Sequence, residues 1–460
     1  MGDGWLLAGW GRTSPSWARV VTPADPAELS VELSGGEGGE KGAGTIARGL
    51  GRSYGDAAQC AGGTVIDVGR LSDIGPIDPE SGLVTVGGGT SIQHLLERSL
   101  PEGWFVPVTP GTRLVSIGGA IAADVHGKNH HRDGSFCGHV TSLTLNTPSG
   151  VLSTGPELDP ELFWATAGGM GLTGVVTDAT VRMKPVETNR VVVDTERFTD
   201  LDGVMAAMEE SDSGYQYSVA WVDAAAGRGR AGRSVLTRGD HAAVSDLPKA
   251  HRDRPLEAPH PARVRVRRTA PSGLLNAFTV SAFNAAWYSR APRRRSGELQ
   301  TITAFFHPLD GIDGWNLLYG RRGFLQYQFA VGPDRADVVH QAVRLLSDSG
   351  TPSFLAVLKR FGSGNPGPLS FPIEGWTLAL DLPLGPPQLA RITDQLDEMV
   401  AQAGGRVYLA KDARLRPELL EVMYPRLSEL QEVRRRIDPS GILCSDLSRR
   451  LGMDGARMAG

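Results

Sequence analysis

Cysteine is scarce in this chain of 460 residues, and its three copies, Cys60, Cys137 and Cys444, lie far apart. An odd number without C-x-x-C spacing argues against a disulfide framework or a zinc ribbon. Lysine is scarce too. Only Lys41, Lys128, Lys184, Lys249, Lys359 and Lys411 occur among 47 basic residues; the arginine excess reads as coding composition, not function. No apolar run approaches the ~18–20 residues that a bilayer span needs. The start, MGDGWLLAGWGRTSPSW, has no basic stretch leading into a long apolar core, so no signal peptide is expected. A strong charge is also missing. The formal net charge is −4, which argues against a general nucleic-acid binder. The expectation is a soluble protein folded in a reducing compartment, cytoplasmic or peripheral at a membrane.

The length supports two or three packed units at about 100–200 residues each. Hydrophobic residues make up 40% and charged residues 21%, enough for a sizeable core and unlike a disordered chain. Residues 44–180 are dense in glycine and in short strand-like runs: GTVIDV (63–68), LVTVGGG (83–89), VTSLTLNT (140–147) and GVVTDATVRM (174–183). Each run is bounded by turn formers. SIQHLLERSL (91–100) has helical spacing through Ile92, Leu95, Leu96 and Leu100. A mixed α+β unit follows from this pattern.

The texture changes after Lys184-Pro185. Aromatic segments appear, YQYSVAWVD (215–223), LQTITAFFHPL (299–309) and FLQYQFAVG (324–332), with candidate helices at 336–350 and 387–405. They suggest a second unit, a sheet covered by helices on one face. The stretch 247–297 is rich in Pro and Arg with little periodicity. It reads as a long solvated loop; the functional alternative is a mobile lid, or a basic patch facing phosphate or anionic lipid. The tail 406–450 holds a short strand and an amphipathic helix and is expected to pack back on the first unit.

Four motifs suggest chemistry. ARGLGRSYGD (47–56) follows the strand-like GTIA. Its close glycines permit a near approach of backbone to ligand, and successive N–H groups form an anion nest suited to a pyrophosphate. Pro110-Gly111-Thr112 precedes SIGGAIAADVHGKNHH (116–131), where small residues let a flat ring lie against the main chain and His126 and Lys128 supply polar groups at its edge. The histidines 126, 130, 131 and 139 raise a metal site, but no carboxylate or cysteine completes a ligand spacing, so none is expected. Gly169 to Gly174 satisfy G-x-G-x-x-G, yet the alternating VVTDATVRM that follows is strand-like, so a dinucleotide fingerprint opening a helix is rejected. Tyr408-Leu409-Ala410-Lys411-Asp412 ends an apolar run with a lysine, which places an ammonium near an anionic ring atom or merely forms a surface pair with Asp412.

Together these motifs resemble the vanillyl-alcohol-oxidase (PCMH-type) superfamily of FAD enzymes. ARGLGRSYGD, PGT, GGAIAADVHGKNHH, ELFWATAGGMGLTG, FFHPLD, FLQYQF, LSFPIEGW, AKD and MYPR occur in the order found in its decaprenylphosphoryl-β-D-ribose oxidases, and the likeness runs from about Gly9 to Arg450. It implies an α+β, two-domain fold: an FAD-binding domain at 1–190, a substrate domain at 191–400, and a segment 401–460 returning to the first. It implies a cofactor site of Ala47, Arg48, Gly49, Leu50, Gly51, Arg52, Ser53, Tyr54, Gly55, Asp56, Ala57, Gly111, Ser116, Ile117, Gly118, Gly119, Ala123, Asp124, Val125, His126, Val176 and Tyr408. Where related oxidases carry a histidine bonded to the flavin, Arg52 stands, so FAD is expected to be noncovalent.

The resemblance further places Trp221, Gln326, Gln328, Lys359, Ala379, Asp381 and Lys411 around the substrate. Lys411, His126, Tyr54, Lys128 and Gln328 are the expected catalytic side chains, with Lys411 stabilising the anionic reduced ring. Two positions depart from the pattern. Ala379 stands where the family has a cysteine trapped by nitroaromatic inhibitors, and Thr377 replaces an asparagine. The implied reaction is oxidation of the ribose 2′-hydroxyl of a polyprenylphosphoryl-ribose lipid. It is the first half of an epimerisation towards the arabinose donor of the cell wall. An NADH-dependent keto-reductase would be the partner, with peripheral membrane contact and an envelope location. The alternatives are a soluble aldose, alditol or lactone oxidase of the same fold and a non-enzymatic flavin scaffold.

Overall fold

A computed structural model describes residues 4–33, 43–225, 231–257, 264–271, 273–351 and 353–453. Residues 258–263 and 272, within the stretch read as a solvated loop, lie outside them.

The glycine-rich half forms two four-stranded sheets. In the first, the order is Gly4–Leu7, Ser16–Val21, Thr64–Asp67, Thr45–Arg48. The last three run parallel. The second is antiparallel, in the order Leu83–Gly87, Val175–Arg182, Val140–Thr147, Gly150–Thr154. The 174–183 run is therefore a strand and not the opening of a helix. The 91–100 spacing yields the helix Ile92–Ser99, capped by Ser91, with Ile92, Leu95 and Leu96 buried. The tail joins this half: Thr45 and Cys444 exchange backbone bonds with Ile442 and Thr45, and Arg450 binds Asp56 and Asp412.

The aromatic half builds an eight-stranded antiparallel sheet. Its order is Arg294–Thr301, Arg190–Phe198, Ser234–His241, Tyr217–Val222, Ala356–Phe361, Gly375–Pro383, Phe324–Val331, Arg406–Val407. Alternation along the Phe324–Val331 strand separates two faces. Tyr327 and Phe329 join the core with the helices Ala336–Ser349 and Leu389–Gln402, and Tyr327 donates to Asp397 of the second helix at 2.9 Å. Gln326 and Gln328 point the other way. Register sets Gln326 opposite Asp381 and Gln328 opposite Ala379; one strand further, Val357 faces Ala379 and Lys359 faces Thr377. That face is polar and looks towards the glycine-rich half.

Residues 247–297 are not simply a loop. They hold short 3-10 turns and a helix, Ala277–Arg290, capped by Asn276. Its apolar residues surround the axis, so no 3.6-residue stripe marks it in the sequence. The aromatic 299–309 segment divides at Thr301, whose side chain caps the helix Ile302–Phe306 and ends the strand. Among the described residues no helix is long and apolar enough to cross a membrane.

Candidate active site

A cleft of about 300 Å³ separates the glycine-rich half from the polar face of the large sheet. One wall is the loop after the Thr45–Arg48 strand. Gly51 sits at φ 62°, which turns the chain back. Among the described residues the amides of Leu50, Gly51, Arg52 and Ser53 have no hydrogen-bond acceptor. Such successive free donors suit a diphosphate. A Cβ on Gly49 would come within 2.0 Å of Ser116 Oγ, so only glycine lets this loop approach the turn at 116–119. Ser116 itself caps the helix Ile117–Ala122 through Gly119 N. Gly118, Gly119, Ala122 and Ala123 line the floor, with no bulky side chain against a flat ring. Tyr408 closes one end, its hydroxyl donating to Ala123 O at 2.7 Å. These features fit FAD.

The opposite wall carries the titratable groups. His126 Nε2 lies 3.0 Å from Gln328 Nε2, which also donates to Thr377 Oγ1 at 2.9 Å. His126 Nδ1 lies 3.1 Å from Lys359 Nζ. Burial, with Lys359 and Lys411 nearby, holds His126 well below the usual imidazole range. Burial and the neighbouring Lys411 and Lys128 push Lys359 far down. Asp381 accepts from Tyr319 at 3.0 Å and from Gln326. Burial raises its carboxyl to about 6, although Gln326, Lys411 and Tyr319 oppose the rise. Burial lowers Lys411 to about 8 against the attraction of Asp381. The Lys411 ammonium stands 5.8 Å from the Tyr54 ring. Burial, with Asp381 close, pushes that phenol well up. Among the described residues the carbonyl oxygens Gln326 Oε1 and Gln328 Oε1 are buried without a partner, and both side chains line the cleft. Unpaired buried acceptors are costly, so a ligand with hydroxyl donors is the natural complement.

Comparison with known proteins bears on this geometry. The model of an FAD binding domain matches residues 17–155. The chain is 43% identical over 450 residues, 97% of both chains, to the decaprenylphosphoryl-beta-D-ribose oxidase of Mycolicibacterium smegmatis. This chain belongs to the decaprenylphosphoryl-beta-D-ribose oxidase family. It is an FAD-dependent oxidoreductase with the α+β, two-domain fold of the vanillyl-alcohol-oxidase type. A second relative, 42% identical over 370 residues (79% of this chain, all of the other), is a Streptomyces coelicolor protein named for its place in the mprA 5′ region. Cytokinin dehydrogenase 2 of Arabidopsis thaliana is 27% identical over 164 residues, about a third of each chain. A model of D-arabinono-1,4-lactone oxidase matches residues 386–451.

Within this family member, the cleft gathers most of the side chains expected from the motifs. Ala47, Gly49 to Tyr54, Ala57, Gly111, Ser116, Gly118, Gly119, Ala123, Val125, His126, Val176 and Tyr408 line it. So do Gln326, Gln328, Lys359, Ala379, Asp381 and Lys411. Seven others stand behind or beside it. Arg48 turns back to the carbonyls of Ala58 and Ala8. Gly55 packs on Asp412 O, and Asp56 is taken by Arg450. Ile117 is core. Asp124 accepts from Asn365, Ser370 and the Cys137 amide, which fixes the loop under the floor. Lys128 donates to Phe305 O and lies 4.2 Å from the Phe305 ring; burial takes its amine down to about 7. Trp221 opposes Val357 one strand out.

The motif reading missed Trp10 and the segment Leu309–Trp315, which also line the cleft. The guanidinium of Arg52 lies 4.1 Å from the Trp10 ring, and Asp310 Oδ2 accepts from Arg113 N at 2.8 Å. FFHPLD pointed to Asp310 only as a motif. The histidines disperse: His126 into the cleft, His130 onto Phe361, His131 to the carbonyls of Asp212 and Tyr215, and His139 to Asp133 O.

Proposed function

We propose that this chain oxidises the 2′-hydroxyl of a polyprenylphosphoryl-β-D-ribose to the 2′-keto sugar. The observation that carries the reading is the pair of unpartnered glutamine oxygens beside two lysines and a depressed histidine, facing a diphosphate-type loop across one cleft. FAD, held without a covalent bond, supplies the hydride acceptor. Gln326 and Gln328 accept hydroxyls of the pentose and orient the ring. His126 is kept uncharged by its surroundings, and with both ring nitrogens engaged by Gln328 and Lys359 it orients Gln328 without adding positive charge. Lys411 stabilises negative charge developing at the floor, and the nearby Asp381 carboxyl favours its charged form. Lys359 holds His126 in place. Tyr54 walls the site. Lys128 and Trp221 act from behind, Lys128 by bracing Phe305.

In this reading residues 1–190 with 401–460 form the cofactor domain and 191–400 the substrate domain. A separate NADH-dependent keto-reductase would complete the epimerisation, and the lipid substrate calls for peripheral contact with a membrane. The relative from Mycolicibacterium smegmatis, matched over nearly the whole chain, supports the substrate class. A second reading, a lactone oxidase, draws on the match of residues 386–451, but that span covers only the helix Leu389–Gln402 and the tail.

The test is the visible absorption of the FAD-loaded protein before and after anaerobic addition of substrate. A prenylphosphoryl ribose should bleach the flavin band; free aldoses, alditols and lactones should not. Bleaching by a lactone and none by the prenylphosphoryl ribose overturns the proposal.

A further inference from the structure

The helix Ala277–Arg290 is built against the usual rule. Among its fourteen residues only Val280 and Asn284 are buried. Its solvent side carries Phe278, Ala282, Phe283, Ala286 and Trp287. Phe278 is 82% exposed and Trp287 50%. Leu274, just before its Asn276 cap, is exposed as well, as is Val264 in the short strand earlier in the chain. A helix apolar on both sides belongs inside something, and a contiguous exposed apolar patch marks an interaction surface.

The charge around the patch narrows the occupant. Residues 264–297 contain seven arginines and no Asp, Glu or Lys. Arg267, Arg268, Arg290, Arg293 and Arg294 are exposed. Arg265 and Arg295 are paired to Asp313 and Glu298, which leaves the other five in excess. Aromatic side chains flanked by such a surplus of cations match a bilayer with an anionic surface. A protein interface enriches Trp, Phe and Arg too, so the choice of a bilayer rests on the excess of arginine charge along 264–297.

The patch also adjoins the cleft. Val264–Arg265 pairs in parallel with Ile312–Asp313, and those two residues line the cleft mouth. Phe283 packs on Phe354 at 4.8 Å, Phe354 meets Tyr319 at 6.5 Å, and Tyr319 holds Asp381. The helix thus rests on the same aromatic column that supports the site.

We propose that the Ala277–Arg290 helix and its flanking arginines dock on an anionic bilayer surface, which sets the cleft mouth where a prenyl-linked substrate leaves the membrane. This deepens the reading of a lipid-linked substrate and rests on it for its purpose. The docking itself can be measured separately.

The test uses the full-length, FAD-loaded protein and sedimentation with vesicles. Vesicles containing phosphatidylglycerol should carry the protein down, and phosphatidylcholine alone should carry much less. Added salt should release it. Phe278→Asp with Trp287→Asp, and separately Arg267→Glu with Arg268→Glu, should lower vesicle binding roughly tenfold or more. Both pairs are exposed, so circular dichroism and flavin absorption should not change. Turnover of a short-chain, water-soluble prenylphosphoryl ribose should be kept, and turnover of a long-chain substrate in vesicles should fall. Wild-type protein left in the supernatant, or variants that sediment like wild type, refute the proposal. So does a dimer in gel filtration that the aspartate pair converts to monomer, because the patch would then bind a second copy. If vesicle binding behaves as stated while no prenylphosphoryl ribose bleaches the flavin, the substrate reading fails and the docking surface stands.

Discussion

Lys359 and His126 form a hydrogen-bonded pair, Nζ to Nδ1, at 3.1 Å. The orientation of Gln328 decides who donates. Its amide nitrogen serves both Thr377 Oγ1 and His126 Nε2, so Nε2 is an acceptor. The ring proton then sits on Nδ1 and faces Lys359 Nζ, whose amine burial pushes towards the uncharged form that can accept it. Both groups are pushed down by burial and by neighbouring lysines, which agrees with that assignment. The pair keeps the imidazole oriented at the cleft wall without a charge on the ring.

Lys359→Met removes the acceptor for Nδ1–H and leaves a buried donor unpaired, a loss of about 1–3 kcal/mol. Turnover should fall about tenfold to hundredfold while the FAD content is unchanged. Stopped-flow flavin reduction compared with flavin absorbance separates the two. A variant that loses FAD in proportion to activity would mean that Lys359 supports cofactor binding instead.

Gly49 tests the cofactor loop. Gly49→Ala puts a methyl 2.0 Å from Ser116 Oγ, which must move the loop or the helix cap. FAD should be lost on gel filtration. Gly49→Ala combined with Ser116→Gly removes the clash and should recover part of the binding. Gly111→Ala differs, because its Cβ meets nothing within 4 Å; that variant should fold normally and bind FAD more weakly only where the methyl intrudes on the cleft. Equal FAD retention by Gly49→Ala and the wild type would remove the loop from the cofactor site.

These loops were legible from sequence because turns and close approaches demand glycine whatever the surroundings. Gln326 and Gln328 came from the resemblance alone; the alternation of FLQYQF, with opposite chemistry on the two faces of a strand between core and cleft, explains why both reach the site. Other features were not. Lys128 has the right type and neighbourhood, yet its amine turns to Phe305 O, and direction is set by packing. Leu309–Trp315 reaches the cleft only because the chain turns there after the helix Ile302–Phe306. The Ala277–Arg290 helix carries apolar residues all round, so it has no periodicity to find.

Acid should destabilise the protein through its buried histidines. Burial lowers His130 and His241 to about 3, and pushes His126, His139 and His307 below their ordinary value of 6.5. The unfolded chain takes up these protons and the folded chain does not. Their stability is complete above about pH 6.5 and is lost as pH falls through it towards the folded values. Asp381, raised to about 6, works in the opposite direction as pH falls below that value, joined by Asp212, Asp310 and Asp397, whose carboxyls burial also raises. Against these four stand the five histidines and the far-lowered amine of Lys359, which the unfolded chain likewise protonates first. Melting temperature should therefore drop from pH 7.5 to 5.5. His241→Phe, which fits beside Phe105 and Phe306, should flatten the drop by up to one proton, about 1.4 kcal/mol per pH unit. An unchanged slope would show that His241 titrates alike in both states.

Ala379 offers a test with nitroaromatic compounds. It lies on the cleft face between Gln328 and Val357, where the family resemblance places a reactive cysteine. The chain's own thiols, Cys60, Cys137 and Cys444, are all buried and none lines the cleft, so no sulfur can reach a compound bound over the floor. Mass spectrometry after turnover with a nitroaromatic inhibitor should find no adduct on the natural protein. Ala379→Cys exchanges a methyl for a slightly larger thiol that still points into the cleft, so FAD binding and turnover should stay close to those of the natural protein. The variant should gain one covalent adduct, mapped to residue 379. An adduct on the natural protein would mean that a buried thiol becomes reachable during turnover. Absence of one on the variant would mean that the side chain at 379 lies too far from the activated nitro group.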